Sequence, residues 1–188
     1  EHNDISHAKV NGVMLQDNSC GSVEHNTIRN CSDGVLVIAG CYCILKHNTI
    51  SNNQKHGIRV VHASSALEVE KNVLAANMVN LCVNNTETTL LSGSKLNTTV
   101  ISGNVIKDAT VDNMYIALDR RYGQVPHLPL LRIVGNEISD AKRYGIFIHN
   151  CSDDILISRN TIQANETANL CVPFDSKKFN LSICDNHI

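Results

Sequence analysis

Gly21–Val61 reads "GSVEHNTIRNCSDGVLVIAGCYCILKHNTISNNQKHGIRVV", and within it "EHNTIRNCSDGVLV" is followed by "KHNTISNNQKHGIRV". Each copy sets out an Asn, an Ile two residues on, and then a Gly that opens a run of alternating apolar residues. The frame extends both ways along the chain. The Asn recurs as Asn3, Asn26, Asn48, Asn72, Asn104, Asn136, Asn160 and Asn186, mostly 22 to 26 residues apart, with longer intervals on either side of Asn104. Aliphatics hold the second position after it (Ile5, Ile28, Ile50, Leu74, Ile106, Ile138, Ile162, Ile188) and the third before it (Val23, Leu45, Val69, Ile101, Ile133, Ile157, Ile183). Eight or nine residues beyond it stands a Gly or an Asn: Gly12, Gly34, Gly57, Asn80, Asn113, Gly145, Asn169.

Alternation with period 2 over three to five residues makes short strands with one face in and one face out. Three such strands per repeat cannot bury themselves alone, but stacked at about 4.8 Å per coil they enclose a column of Ile, Val and Leu. The expectation is an all-β chain: a right-handed parallel β-helix of seven to eight coils with three parallel sheets, right-handed by the crossover rule. The recurring Asn is expected to form a ladder of buried amides along the axis. Gly and Asn share a tolerance for the left-handed backbone, so positive φ is expected at Gly12, Gly34, Gly57, Asn80, Asn113, Gly145 and Asn169. No L-x-x-L-x-L frame supports a leucine-rich repeat.

At 188 residues the chain suffices for one such domain, residues 1–188. It opens on "EHNDI" and closes on "CDNHI", both inside the repeat, so a fragment of a longer chain is expected. The net charge of -2 gives no basic field for nucleic acid. No apolar run approaches the roughly 20 residues of a membrane span.

The stretches "NTIRNCSDGVLVIAG" and "NTISNNQKHGIRVV" resemble the parallel β-helix repeats of the pectate-lyase-like superfamily, including its carbohydrate-binding and sugar-hydrolase-type subset. The resemblance implies the fold over essentially the whole chain. It leaves function open, because that superfamily contains lyases, hydrolases, epimerases, tailspikes, periplasmic maturation proteins and intracellular recognition domains. It also implies that the strand after the Gly/Asn position, with its adjoining loops, forms the groove.

The long insertions fall beside that strand: residues 83–99, residues 118–129 and a milder extension over 173–180. By register its outward positions are Met14, Leu36, Arg59, Cys82, Tyr115, Phe147 and Cys171, then Gln16, Ile38, Val61, Asn84, Ala117, His149 and Pro173. Candidate binding residues are therefore Arg59, Tyr115, Asp119, Arg120, Arg121, Tyr122, Phe147, His149, Lys177 and Lys178. Arg can neutralise a sugar carboxylate while Tyr or His moves a proton, which makes Tyr115, His149, Arg120 and Arg121 the catalytic candidates. Leu36, Ile38 and Val61 make a candidate partner surface. These outward positions carry no acid, leaving only Asp17, Asp119 and Asp175 at the periphery, so neither a calcium cage nor a hydrolase carboxylate pair is expected.

His2, His25 and His47 share a register next to the Asn and are read as a structural stack rather than a metal site. No metal or other cofactor is expected. Of the eight Cys, only Cys20 with Cys41 or Cys43 lies at a register that could bridge, which favours a reducing, intracellular setting. Six N-x-S/T triplets (Asn30, Asn84, Asn97, Asn150, Asn165, Asn180) leave secretion open. The function expected is a non-catalytic recognition or scaffold module that binds a protein partner, or a glycan, along one sheet face. The alternatives are a lyase or epimerase acting on acidic glycans and a tailspike or fibre segment; the oligomeric state stays open.

Overall fold

A computed structural model describes residues 1–16, 19–38, 41–61, 67–84, 99–117, 131–149, 154–172 and 181–188. The first coil runs β1 (Asp4–Ser6), β2 (Asn11–Leu15) and β3 (Cys20–Glu24), and the second β4 (Thr27–Arg29), β5 (Asp33–Ile38) and β6 (Tyr42–Lys46). The third holds β7 (Thr49–Ser51), β8 (His56–Val61) and β9 (Leu67–Glu70); the fourth holds β10 (Val73–Ala75), β11 (Val79–Asn84) and β12 (Thr99–Ser102). Next come β13 (Val105–Lys107), β14 (Asp112–Ala117) and β15 (Leu131–Val134), then β16 (Glu137–Ser139), β17 (Tyr144–His149) and β18 (Ile155–Ser158). The seventh coil contributes β19 (Thr161–Gln163), β20 (Ala168–Cys171) and β21 (Leu181–Cys184). Corresponding strands stack into three seven-stranded sheets, every pairing parallel. We call them the first, second and third sheets in the order the chain visits them.

The aliphatic columns read from the sequence line the interior. Ile28, Ile50, Leu74 and Ile106 of the first sheet, Val35, Ile58, Leu81 and Met114 of the second, and Leu45, Val69, Ile101 and Ile133 of the third are completely buried. At the corner between the third and first sheets, each recurring Asn donates its backbone N–H and its Nδ2 to the Oδ1 of the next coil's Asn, at 2.9–3.2 Å, from Asn3 through to Asn186. Along the middle of the run the other Nδ2 proton goes to a third-sheet carbonyl, as from Asn48 to Val23, Asn72 to Leu45 and Asn104 to Val69. Buried backbone groups at a sharp corner need partners, and the amide, with two donors and an acceptor, supplies them.

The left-handed backbone is not at the expected Gly/Asn positions. Positive φ falls instead on the residue before each ladder Asn (His2, His25, His47, Lys71, Gly103, Gly135, Arg159, Asp185) and at the next corner (His7, Asn30, Asn52, Ala76, Asp108, Asp140, Ala164). Space, rather than φ, dictates the Gly/Asn row. A Cβ on Gly34 would lie 2.5 Å from the Gly57 carbonyl oxygen and 2.9 Å from Asn53 Nδ2. One on Gly57 would lie 2.5 Å from the Asn80 carbonyl oxygen and 2.8 Å from Asn77 Nδ2. Where the row carries Asn80 or Asn113, the coil above offers Ala109 or Ala141 in place of the intruding amide. These amides form a second internal ladder, Asn53–Asn77–Asn80–Asn113–Asn165–Asn169.

Candidate recognition site on the second sheet

The outward rows of the second sheet follow the expected register. Met14, Leu36, Arg59, Cys82, Tyr115, Phe147 and Cys171 are successive neighbours across the pairs, as are Ile38, Val61, Asn84, Ala117 and His149. Leu36, Ile38 and Val61 stand together at the lower coils, each half-buried. Tyr115 and Phe147 meet on β14 and β17 with ring centroids 5.6 Å apart. Asp119, Arg120, Arg121, Tyr122, Lys177 and Lys178 lie outside the described residues, as do residues 85–98 and 118–130 of the long insertions.

A third row flanks this face and was not anticipated. It runs Asn11, Asp33, His56, Val79, Asp112, Tyr144 and Ala168, the residues one before the Gly/Asn position, with Cys82 and Tyr115 beside it. Strict alternation would turn these side chains inward. At the corner, however, the Gly/Asn residue takes the inward direction and its predecessor faces out. The expectation that the outward positions of this sheet carry no acid is therefore corrected: Asp33 and Asp112 both stand there. The signal was an acid at one register, Asp33 before Gly34 and Asp112 before Asn113.

Both acids work as clasps between coils. Asp33 Oδ1 accepts His56 Nδ1–H at 2.7 Å and the His56 backbone N–H at 3.2 Å, and Arg59 approaches Oδ2 at 3.8 Å. Burial alone would raise the Asp33 carboxyl, but the hydrogen bonds and charge of His56, with Arg59, outweigh it and hold it below the usual carboxylate range. A depressed folded-state value contributes stability above the unfolded carboxyl's value of about 3.9, and that contribution is lost as pH falls through the folded value. Asp33→Asn is expected to cost about 2 kcal/mol at neutral pH and to leave a variant whose stability falls less than wild type on acidification below about pH 4. Urea unfolding at pH 3 and pH 7 checks this; parallel acid losses in both proteins would count against the clasp.

Asp112, completely buried, accepts Arg143 Nε at 2.9 Å and is also bound by its Nη2, while its Oδ1 takes the Tyr144 N–H at 3.3 Å. The hydrogen bond and charge of Asp112 push the Arg143 guanidinium further up. Held there, the guanidinium lies 5.1 Å from the Tyr144 ring centroid and 5.7 Å from that of Phe147. Tyr144 stacks on Phe147 at 4.9 Å, and Phe147 on His149 at 5.9 Å, with interplanar angles of 17° and 15°. Arg143, Tyr144, Phe147 and His149 thus stand as one file along β17, flanked by Tyr115. Sequence reasoning found Tyr115, Phe147 and His149; it missed Arg143, Tyr144 and the acid that positions them.

Among the described residues no three His, Cys, Asp or Glu side chains converge on one point. His2, His25 and His47 stack face to face, centroids 5.1 and 4.9 Å apart and planes within 16° and 6°, so their ring nitrogens run side by side and do not point at a common ion.

Residues 1–74 match the model of the right-handed β-helix region, and residues 78–188, more than half the chain, match that of the periplasmic copper-binding protein (NosD). The chain belongs to the NosD family. The right-handed parallel β-helix is accordingly the family's fold as well as the one in the structure. Membership corrects the intracellular placement expected from the cysteines, because the NosD family is described as periplasmic. The thiol argument failed because it treated cysteines without a nearby partner as a report on the compartment, when their spacing along the solenoid only reports geometry. No curated protein and no solved structure gives a significant match to this NosD-family chain. Among the described residues no helix is long and apolar enough to cross a membrane.

Proposed function

We propose that this chain is a non-catalytic recognition module that docks a protein partner on the outer face of its second sheet. The observation that carries the reading is the Arg143–Tyr144–Phe147–His149 file. Phe147 stacks with both Tyr144 and His149, and the Arg143 guanidinium lies over Tyr144. A pyranose stacks on an open aromatic face, and this file offers few. What it presents is a rigid row of ring edges, hydroxyls and guanidinium N–H groups, the residue types that dominate protein hot spots.

A hydrolase built on a carboxylate pair has little support. Asp33 and Asp112 stand three coils apart, roughly 14 Å at the spacing of stacked strands, too far to share a glycosidic bond. Each is already bound by a side chain of its own, Asp33 by His56 and Asp112 by Arg143. Copper, which the family description names, finds no fitting set among the described side chains, and no step of this reading runs through it.

Phe147→Ala is expected to weaken capture of the partner from an extracytoplasmic extract at least tenfold, about 1.4 kcal/mol or more, with the far-UV spectrum unchanged. Assays on pectin, alginate and glycosaminoglycans are expected to release no unsaturated product. Product release that disappears in Tyr115→Phe would replace this reading with catalysis.

A further inference from the structure

We propose that the partner docks through an extended acidic segment that crosses the coils of the second sheet, with one carboxylate on Arg59, a second on Arg143 and an apolar side chain between them. The proposal rests on the docking role of this face and names the chemistry of what docks there.

Asp33 and Asp112 share one row, three coils apart, about 14 Å at the spacing of stacked strands. Each draws an arginine to it. Arg59 Nη1 approaches Asp33 Oδ2 at 3.8 Å, and Arg143 bonds Asp112 through Nε and Nη2. The acids lie beneath and the cations stand out: the Asp33 and Asp112 side chains are 8% and 1% exposed, those of Arg59 and Arg143 38% and 45%. Lys55, next to His56, is exposed as well. The charge that this band of described residues presents to solvent is therefore cationic. A guanidinium carries five N–H donors. Arg143 spends two of them on Asp112, and the Arg59 contact is longer than a hydrogen bond, so both keep donors to clasp an incoming carboxylate.

The surface between the two arginines is apolar. Val79 and Cys82 of β11 are buried at its floor, Tyr115 flanks Cys82 on β14, and Met78 on the rim is 38% exposed. Burial pushes the Cys82 thiol up to about 11, so it adds no charge at neutral pH. In an extended chain, carboxylates four residues apart lie on one side and are separated by about 13 Å, and the residue midway between them faces the same way. Such a segment matches the arginines with its ends and the apolar floor with its middle. A polyuronide carries a carboxylate on every ring and would set some of them over that floor, at the cost of their desolvation.

Peptide probes test this on the full chain. Fluorescein-labelled Gly-Glu-Ser-Leu-Ser-Glu-Gly is titrated with the protein by fluorescence anisotropy at low salt. One control replaces both Glu with Gln; another, Gly-Ser-Glu-Leu-Glu-Ser-Gly, brings the two Glu closer together. The first peptide is expected to bind at least about tenfold more tightly than either control, and to weaken as salt is raised. Arg59→Gln is expected to reduce its affinity by about fivefold or more. Arg143→Gln would leave the buried Asp112 without its cation, so the altered peptides, which need only wild-type protein, test that end of the band. Equal binding of the Gln control, or of the closer-spaced one, overturns the proposal. So does undiminished binding to Arg59→Gln, or an oligogalacturonide that binds more tightly than the peptide. If Phe147→Ala loses the extracted partner while the acidic peptide binds no better than its controls, the docking role stands and the acidic segment falls.

Discussion

Asn104→Asp should destabilise the protein by at least about 3 kcal/mol at pH 7, although it replaces one atom and changes almost no volume. Asn104 sits at the middle of the main ladder with 1% of its surface exposed. Its Oδ1 accepts from the Asn72 backbone and side chain, at 2.9 and 3.1 Å, and a carboxylate would keep both bonds. Its Nδ2 donates to Val69 O and to Asn136 Oδ1, each at 2.9 Å. There a carboxylate oxygen would face two acceptors with no proton between them. Burial and those acceptors both penalise the charged form, so the introduced carboxyl has a raised folded-state pKa. A raised value means the penalty is small below the unfolded carboxyl's value of about 3.9 and grows as pH rises through the interval up to the folded value. Protonation restores one of the lost donors, so about half of the deficit should return on acidification. The measurement is urea unfolding of variant and wild type at pH 4 and pH 7. A deficit of the same size at both would mean that the amide acts by shape alone, and the account of the ladder as a hydrogen-bonding spine would fail.

The ladder and the aliphatic columns were legible because a solenoid imposes the same demand at the same register on every coil. Asn3 to Asn186 repeat one register eightfold and Ile28 to Ile162 another sixfold, and repetition is what a single sequence can display. The outward rows followed from alternation, which is why Tyr115, Phe147 and His149 were found. The reading failed where alternation fails. At the corner before the second sheet the Gly/Asn residue turns in and its predecessor turns out, so Asp33, His56, Asp112 and Tyr144 were assigned to no face. The same corner explains the φ error. A row shared by Gly and Asn admits two readings, tolerance of positive φ and competition for a small space, and only neighbouring coils distinguish them. The residues that do hold positive φ include Lys71, Ala76 and Arg159, which have no special aptitude for it and so gave no signal. Arg143 was hidden differently. Its position follows from a bond to Asp112 thirty-one residues away, and no local pattern encodes that.

Competition for space at that corner leads to an expected rescue. Gly57→Asn alone should cost more than about 3 kcal/mol, since its Cβ would meet Asn77 Nδ2 at 2.8 Å and the Asn80 carbonyl oxygen at 2.5 Å. Asn77→Ala alone should cost about 2 kcal/mol, because the Asn53 N–H and Nδ2 both donate to Asn77 Oδ1 at 2.9 Å. The double variant recreates the combination that two other levels of this chain use, Asn80 beneath Ala109 and Asn113 beneath Ala141. An amide at position 57 could accept from Asn53 as Asn80 accepts from Asn77, at 2.8 Å from Nδ2 and 3.3 Å from the backbone N–H. It could also donate upward to Asn80, as Asn80 does to Asn113 at 2.7 Å. The backbone near the Asn80 carbonyl must give by a few tenths of an ångström, so recovery should be partial. The cycle is expected to show a favourable coupling of at least about 1 kcal/mol, well outside the additivity seen for independent sites. Thermal or urea unfolding of the four proteins measures it. If the two costs simply add, the amides of this second ladder are not filling one shared space, and the alternation of Gly and Asn along the row needs another cause.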